Sequence, residues 1–401
     1  MNDVTIVSFD EAREAYRQKD LRQGLYDAGA VVMDGVLVNL HGDAHRARRR
    51  IENRTFRRDT FDHYERDMFP DIVERTLEPH LRAGHTDLEH FGHALMLNLA
   101  AVTAGVDRPL GTAEETERLH DYVRYFIEGA TLVHSRQDRR ERSAVIAEKL
   151  DSWYREFLEP SITLRRRLLA GVADGTVDES EVPRDILVAL LRHQDQLDLP
   201  KDVLTREIAF FLLAGAHTSA TAFVRTIDAA LGWVEEHPED LLRLREDRLF
   251  VQRCVHETIR LNPSSPTGVR RALADITMKS GLTITKGSMV TIDLGQVNRD
   301  ESVFGADAAR FIPTRLLPEG VAPYGLSFAA GMHVCIGQDL AAGVVPSREA
   351  TADDHLFGLV PVAVQRMFDA GVRRDPEHPP VRDATTARPY WSSYPVLLCP
   401  A

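Results

Sequence analysis

The sequence predicts a mainly α-helical fold with small β-sheets, and three observations carry that expectation. Apolar residues recur at helical spacing through residues 69–81, 91–102, 119–133 and 150–169. A longer helical pattern over residues 203–234 is apolar nearly all round, which places it inside the protein. Residues 267–293 alternate instead, with Gly268, Gly281 and Gly287 between short apolar runs, and predict strands and turns. No internal repeat or low-complexity linker divides the chain, so residues 1–401 are expected to form a single domain.

Composition narrows the function classes. The chain has 401 residues, 43% hydrophobic and 27% charged, enough to bury a large core. Its formal net charge of -12 argues against a nucleic-acid partner. Three cysteines, Cys254, Cys335 and Cys399, make no disulfide framework and fit a reducing compartment. The N-terminus lacks a basic region and a long apolar run, and no stretch is read as long and apolar enough to span a bilayer. A cytoplasmic protein without a membrane partner is expected.

In chain order, residues 4–7 predict a strand, and Ser8 or Asp10 can cap a helix over residues 11–23. Residues 24–42 predict short strands or a packed loop. Asp43 can cap a helix carrying the basic run of residues 45–58, on which His45 and Arg49 share a face. Two cationic donors on one face suit a carboxylate or phosphate. The same run also fits a solvated face, or a docking face for an acidic partner. Pro160 is expected to break a helix, residues 171–183 to form a loop, and residues 185–193 a short helix.

In the long helix, small and polar residues gather from Ala214 to Ser219. Glycine inside a helix costs about 1 kcal/mol relative to alanine. Gly215 therefore has a reason, either a large group lying against the helix or close helix packing. Residues 251–261 predict a helix that brings Glu257 and Arg260 to one face, ended by Pro263 and Pro266. Residues 357–370 predict a helix interrupted by Pro361, residues 373–388 a loop, and residues 394–398 a last strand.

The stretch around which these elements are arranged runs from Phe328 to Ala341 and holds Cys335 on a short glycine-flanked loop before a helix-forming run. Small residues let the backbone come close, and amides at a helix start can point at sulfur. That suits a metal-bound thiolate, against the alternative of a buried structural thiol.

Phe328, Gly331, Cys335, Gly337, Leu340 and Ala341 match the haem-binding loop of the cytochrome P450 family, and the chain resembles the soluble bacterial members of that family over most of its length. Glu257 and Arg260 resemble the family's Glu-x-x-Arg pair, with Arg310 or Arg315 as its third member. The resemblance implies haem b with Cys335 thiolate as axial ligand. It assigns His45, Arg49, Arg270 and His333 to the haem propionates. Ala214 and Gly215 would lie over the distal face, where O2 binds. Thr218 matches the threonine that orients the water delivering protons to the oxygen being activated. By position, Phe210, Leu213, Thr267 and Val269 would line a mainly apolar substrate pocket.

Three departures stand out. His217 occupies the place of the family's usual acid; it either points away from the haem, relays protons, or contacts substrate or iron. The N-terminal region is shortened, with the first helix and first strands of the small sheet reduced or absent. A polar segment after Ala342 interrupts the helix that normally runs beneath the haem.

The resemblance implies a monooxygenase that inserts one oxygen atom from O2 into a small, apolar organic substrate. Electrons from NAD(P)H would come through a separate ferredoxin and ferredoxin reductase, since the stretch after Cys335 is too short for a fused redox domain. Two alternatives stand beside it. One is an enzyme of the same fold with an atypical outcome: oxidative coupling, desaturation or peroxide-driven chemistry. The other is a haem-binding sensor without turnover.

Overall fold

The computed structural model describes residues 3–134, 137–197, 199–346, 355–384 and 390–399. The chain opens with strand β1 (Val4–Ile6), helix α1 (Phe9–Arg17) and strand β2 (Leu21–Gln23). Helix α2 (Gly42–Glu52) carries the first part of the basic run, and α3 (Leu88–Ala104) is buried along much of its length. Further helices between Ala113 and Leu197 lead to α4 (Lys201–Glu236) and α5 (Arg248–Leu261). Strands β3 (Thr267–Ala272) and β4 (Met289–Asp293) follow. Helix α6 (Gln338–Ala342) leaves the Cys335 loop, and α7 (Leu359–Asp369) comes after it. The predicted mainly α fold with small sheets is what forms.

The backbone divides into two compact units, each drawn from separate stretches of chain. The first holds residues 1–21, 61–95 and 218–401 and contains every strand except the last two residues of β2. Its largest sheet runs β1–β4–β3–β2. β1 lies parallel to β4, with Val4 opposite Val290, and β3 lies antiparallel to β4, with Thr267 opposite Asp293. Ile6, Val290 and Ile292 of this sheet and Phe9, Ala12 and Tyr16 of α1 share one buried apolar cluster. The second unit holds residues 22–60 and 96–217 and, among the described residues, is entirely helical outside β2 and its loops.

Several local expectations are corrected. The first helix ends at Arg17, because Leu21–Gln23 is drawn into the sheet as β2 and Leu273 N donates to Asp20 O at 2.8 Å. Residues 24–42 form neither strand nor open loop but short helical turns, among them Asp27–Gly29, Ala30–Met33 and Leu37–Asn39. His41, not Asp43, stands at the N-cap of α2. Pro160 does not break its helix. A π turn over Tyr154–Leu158 ends two residues before it, as another over Tyr64–Met68 ends two residues before Pro70. Such a turn re-registers the backbone ahead of a residue that lacks an N–H and crowds the carbonyl four residues back. Pro361 likewise sits in the first turn of α7, where its missing N–H costs nothing. The helix before residue 175 runs to Asp174, and Arg373–Arg374 and Val381–Arg382 are short strands rather than loop. Residues 347–354, expected to be polar, lie outside the described residues.

The expectation that no stretch could span a bilayer fails for α4. By length and composition it could cross a membrane, yet 67% of its most apolar window is buried inside the protein. It is the only such helix among the described residues.

Within the second unit the basic run is split by burial. Arg46, Arg50, Arg54 and Arg57 are exposed, but Arg48 turns inward and is 6% exposed. Its Nη1 lies 2.5 Å from Glu207 Oε2 of α4, and both oxygens of Glu207 accept from Leu37 N at 3.1 Å. Glu52, one helical turn after Arg48, is fully buried, and neither of its oxygens has a hydrogen-bond partner among the described residues. Burial first, and then the nearby Glu207, push its carboxyl well above the ordinary range. The better-bonded Glu207 holds the charge that pairs with Arg48, so Glu52 is neutral. A raised folded-state value means stability that is present below the ordinary carboxyl range and is lost as pH rises through the folded value. We therefore expect the urea midpoint of the protein to fall from pH 5 towards alkaline pH, and Glu52→Gln to flatten that decline. An unchanged slope in Glu52→Gln would assign the decline to other groups.

Candidate active site

The Cys335 loop belongs to the first unit and is shaped by two residues at positive φ. Ala329 (φ 59°) is the only non-glycine there among the described residues, and Gly331 (φ 71°) lies so close to α1 that an added Cβ would meet Tyr16 O at 2.5 Å. A non-glycine residue in that region costs about 1–2 kcal/mol, so the surrounding structure must hold the turn in place. Gly331–His333 then form a single 3₁₀ turn, and Cys335 N donates to Phe328 O at 2.9 Å. That bond closes the loop but leaves the side chain of Cys335 exposed. Phe328 is held edge-on against Tyr324, ring centroids 4.8 Å apart. Gly337 marks the start of α6, its carbonyl accepting from Ala341 N at 2.9 Å.

The other two cysteines differ in kind. Cys254 is fully buried in α5, and burial pushes its thiol far above the usual range, so it packs as a small apolar group. Cys399 is exposed, with Arg373 Nη2 3.4 Å from its sulfur.

Strand β3 presents a second set of predicted residues. Thr267 and Val269 are half-buried, and Arg270 is buried with its guanidinium 4.9 Å from the Tyr16 ring centroid. Tyr16 was not predicted as a site residue. Its hydroxyl occupies the place where a Cβ on Gly268 would stand, 2.3 Å away, so the glycine admits the ring. Burial raises the Tyr16 hydroxyl to about 12, partly opposed by Arg270. The only sequence signal for Tyr16 is its place on the apolar face of α1, four residues after Ala12.

On α4, Phe210, Leu213, Ala214 and His217 are half-buried and Thr218 is exposed, while Phe211, Leu212, Ala216, Ser219 and Ala220 are buried. These accessible positions recur at helical spacing and make an open stripe along the middle of the helix. Gly215 is half-buried among them. An added Cβ would meet Ala100 Cβ of α3 at 3.2 Å, so close helix packing, the second of the two readings, accounts for this glycine. Thr218 O accepts from Ser264 Oγ at 2.8 Å, a contact that nothing in the sequence foretold.

Glu257 and Arg260 form a bidentate pair, Arg260 Nε and Nη2 each 2.7 Å from a carboxylate oxygen. The third member is Arg315, whose Nε is 3.1 Å from Glu257 Oε1; Arg310 contributes its carbonyl instead. In the second unit His45 is buried and Arg49 half-buried on α2, and Arg49 Nε donates to Asn53 Oδ1 at 3.0 Å. Burial first, then Arg49 and His41, lower His45 to about 4.

The donor set of the first unit fits haem. Among the described residues no group of three or more His, Cys, Asp or Glu side chains is placed to hold a metal ion. An exposed thiol can supply one ligand to a metal whose other ligands belong to the cofactor, and buried Arg270 is a cationic donor suited to a carboxylate.

The comparisons with known proteins agree. A family model described as Cytochrome P450 matches residues 11–343. Pulcherriminic acid synthase of Bacillus subtilis is 27% identical over 329 residues, covering 80% of this chain and 74% of that protein. The biotin biosynthesis cytochrome P450 of the same organism is 25% identical over 57% of this chain and 50% of its own length. Among solved structures, P450BioI in complex with a fatty-acyl-ligated acyl carrier protein superposes with a TM-score of 0.74 at 20% identity, covering 98% of this chain and 92% of that one. CalO2 gives 0.73 at 18% identity, covering 99% and 90%. The chain belongs to the cytochrome P450 family, the haem-thiolate monooxygenases.

Proposed function

We propose that this chain is a monooxygenase that inserts one atom of O2 into a small, mainly apolar organic substrate. Cys335 would be the axial ligand of haem b. The observation that carries this reading is the exposed Cys335 side chain on a loop whose backbone is fixed at Ala329, Gly331 and Phe328. When bound, such a haem supplies dioxygen activation, the thiolate pushing electron density toward O–O cleavage. Arg270, packed on Tyr16, would hold a haem carboxylate, with His333 beside the ligand loop; His45 and Arg49 are assigned to the same carboxylates by the family pattern alone.

The family pattern alone assigns the stripe on α4 to the distal side of the haem. Phe210, Leu213 and Ala214 would exclude water from an apolar substrate, with Thr267 and Val269 as further lining. Thr218 would hold a water through its hydroxyl. His217, in place of the usual acid, would pass protons to that water, since an imidazole exchanges protons near neutral pH. Retuned proton delivery is also what favours the second reading, oxidative coupling or desaturation.

The redox partners would be a separate ferredoxin and its NAD(P)H-dependent reductase, in a reducing cytoplasm. The exposed arginines of α2 and the segment after it suit an acidic ferredoxin; Arg48, buried on Glu207, is not part of that face.

Four outcomes are expected. The ferrous carbon monoxide complex shows a thiolate-type red-shifted Soret band, and Cys335→Ala abolishes it while leaving the circular dichroism intact; a persisting band would refute the ligand assignment. Thr218→Ala lowers product formed per NAD(P)H several-fold. The parent's pH profile of that ratio moves to lower pH in His217→Asp; an unmoved profile removes His217 from the proton path. Arg50→Glu with Arg57→Glu slows reduction by an acidic ferredoxin and weakens its dependence on salt; an unchanged rate would place docking elsewhere.

A further inference from the structure

The helix leaving the Cys335 loop stops after only five residues, at Ala342. Gly343 (φ 75°) turns the chain away and Gly358 (φ 85°) brings it back to the same place, where α7 begins. The two glycines are nearly in contact: a Cβ on Gly358 would meet Gly343 N at 2.3 Å and Ala342 C at 2.8 Å. Val344 N donates to Leu356 O at 3.0 Å and closes the neck. A helix interrupted in this way leaves its last carbonyls and the next helix's first amides without helical partners.

Side chains from elsewhere take those places. Glu65 accepts from Phe357 N at 3.0 Å and Gly358 N at 2.8 Å. On the other side, two fully buried residues of α5 serve the end of α6. Gln252 Nε2 reaches Ala342 O at 3.0 Å and Val344 O at 3.1 Å, and His256 Nε2 reaches Ala342 O at 2.8 Å. A carbonyl only accepts, so Nε2 of His256 carries the proton. Burial lowers His256 to about 4, and His355 adds to the effect, so the ring is a neutral donor.

His256 also touches the incoming side of the loop. Its ring stands edge-on to Tyr324 at 5.5 Å, Tyr324 stands edge-on to Phe328 at 4.8 Å, and Phe328 O receives the amide of Cys335. One imidazole thus contacts both stems of the ligand loop, the outgoing stem through a hydrogen bond and the incoming stem through an aromatic pair.

We propose that His256 is a positioning residue for Cys335: by donating to Ala342 O and backing Tyr324 it fixes the thiolate where haem iron binds it. This rests on Cys335 as the axial ligand. The apolar His256→Leu keeps bulk and loses the donor, while His256→Gln keeps an N–H within reach of the carbonyl. Val364→Ala, a cavity at a buried position in α7, serves as a control for lowered stability alone.

The test uses the haem-loaded proteins. The fraction of the ferrous carbon monoxide complex with the thiolate-type Soret band is followed during a mild temperature hold, and the reduction potential is measured before it. His256→Leu is expected to convert to the thiol-type band several-fold faster than the parent and to have a displaced potential. His256→Gln should recover most of both properties, and Val364→Ala should keep the parent's potential and band. Equal band stability and potential in His256→Leu and parent would overturn the proposal, as would the same conversion in Val364→Ala. If His256→Leu does not load haem, His256→Gln and His256→Asn decide: parent-like values in His256→Gln with a changed band in His256→Asn support the proposal, and parent-like values in both overturn it. A parent without any thiolate-type band would refute the ligand assignment instead.

Discussion

A guanidinium with no exposure to water organises the first unit. Arg260 is completely buried, and every direction of its planar fork is used: two bonds to Glu257, and others to Asn298 O at 2.6 Å, Ala308 O at 2.8 Å and Arg310 O at 3.4 Å. A buried charge is tolerable only when paired and fully hydrogen-bonded, and removal of one partner of such a pair typically costs about 3–5 kcal/mol. Three backbone carbonyls from the irregular segment after β4 are therefore pinned to one side chain on α5. Glu257 extends the arrangement by accepting from Ile312 N and Arg315 Nε, both at 3.1 Å. A segment with little regular structure is shaped by the electrostatic needs of two residues.

The same network reaches the ligand loop in a few steps. Asn298 donates to Arg260 O and to Ser327 Oγ, and its own oxygen receives Leu326 N at 2.9 Å; Ser327 Oγ donates back to Ile259 O. Residues 326 and 327 immediately precede Phe328. Helix α5 thus holds the incoming stem through Ile259, Arg260 and Asn298, and the outgoing stem through Gln252 and His256. A thiolate ligand needs a fixed position but cannot be buried under side chains that would compete with the metal. Rigidity supplied from behind, by one helix bonded to both stems, satisfies both conditions.

What could be seen in the sequence was local. The loop around Cys335, the Glu257–Arg260 spacing and the long pattern of α4 each declare themselves within a few turns of chain, and each formed as expected. What could not be seen depends on distant partners. Arg48 sits in a run of arginines that looks solvated, and only Glu207, 159 residues away, turns it inward. Arg315 rather than Arg310 completes the buried triad because of how an irregular segment folds back, which no periodicity records. Leu21–Gln23 continues a helical pattern, but sheet pairing claims it. Tyr16 and His256 carry no motif; one is visible only as an apolar position on α1, the other as an ordinary residue beside Glu257.

Helix α4 shows how one element reconciles burial with reaction. Its apolar content would let it cross a membrane, yet most of its middle is packed away, with accessible residues from Phe210 to Thr218 between buried ones. Gly215 admits the close approach of Ala100. Ala214 contributes a short side chain to the stripe, flanked by Leu213 and His217 with Thr218 at its end. A histidine side chain is larger than the acid that the resemblance implies at position 217. The resemblance implies an acid where this chain has His217, so a change of side chain there alters the titratable group and its size together.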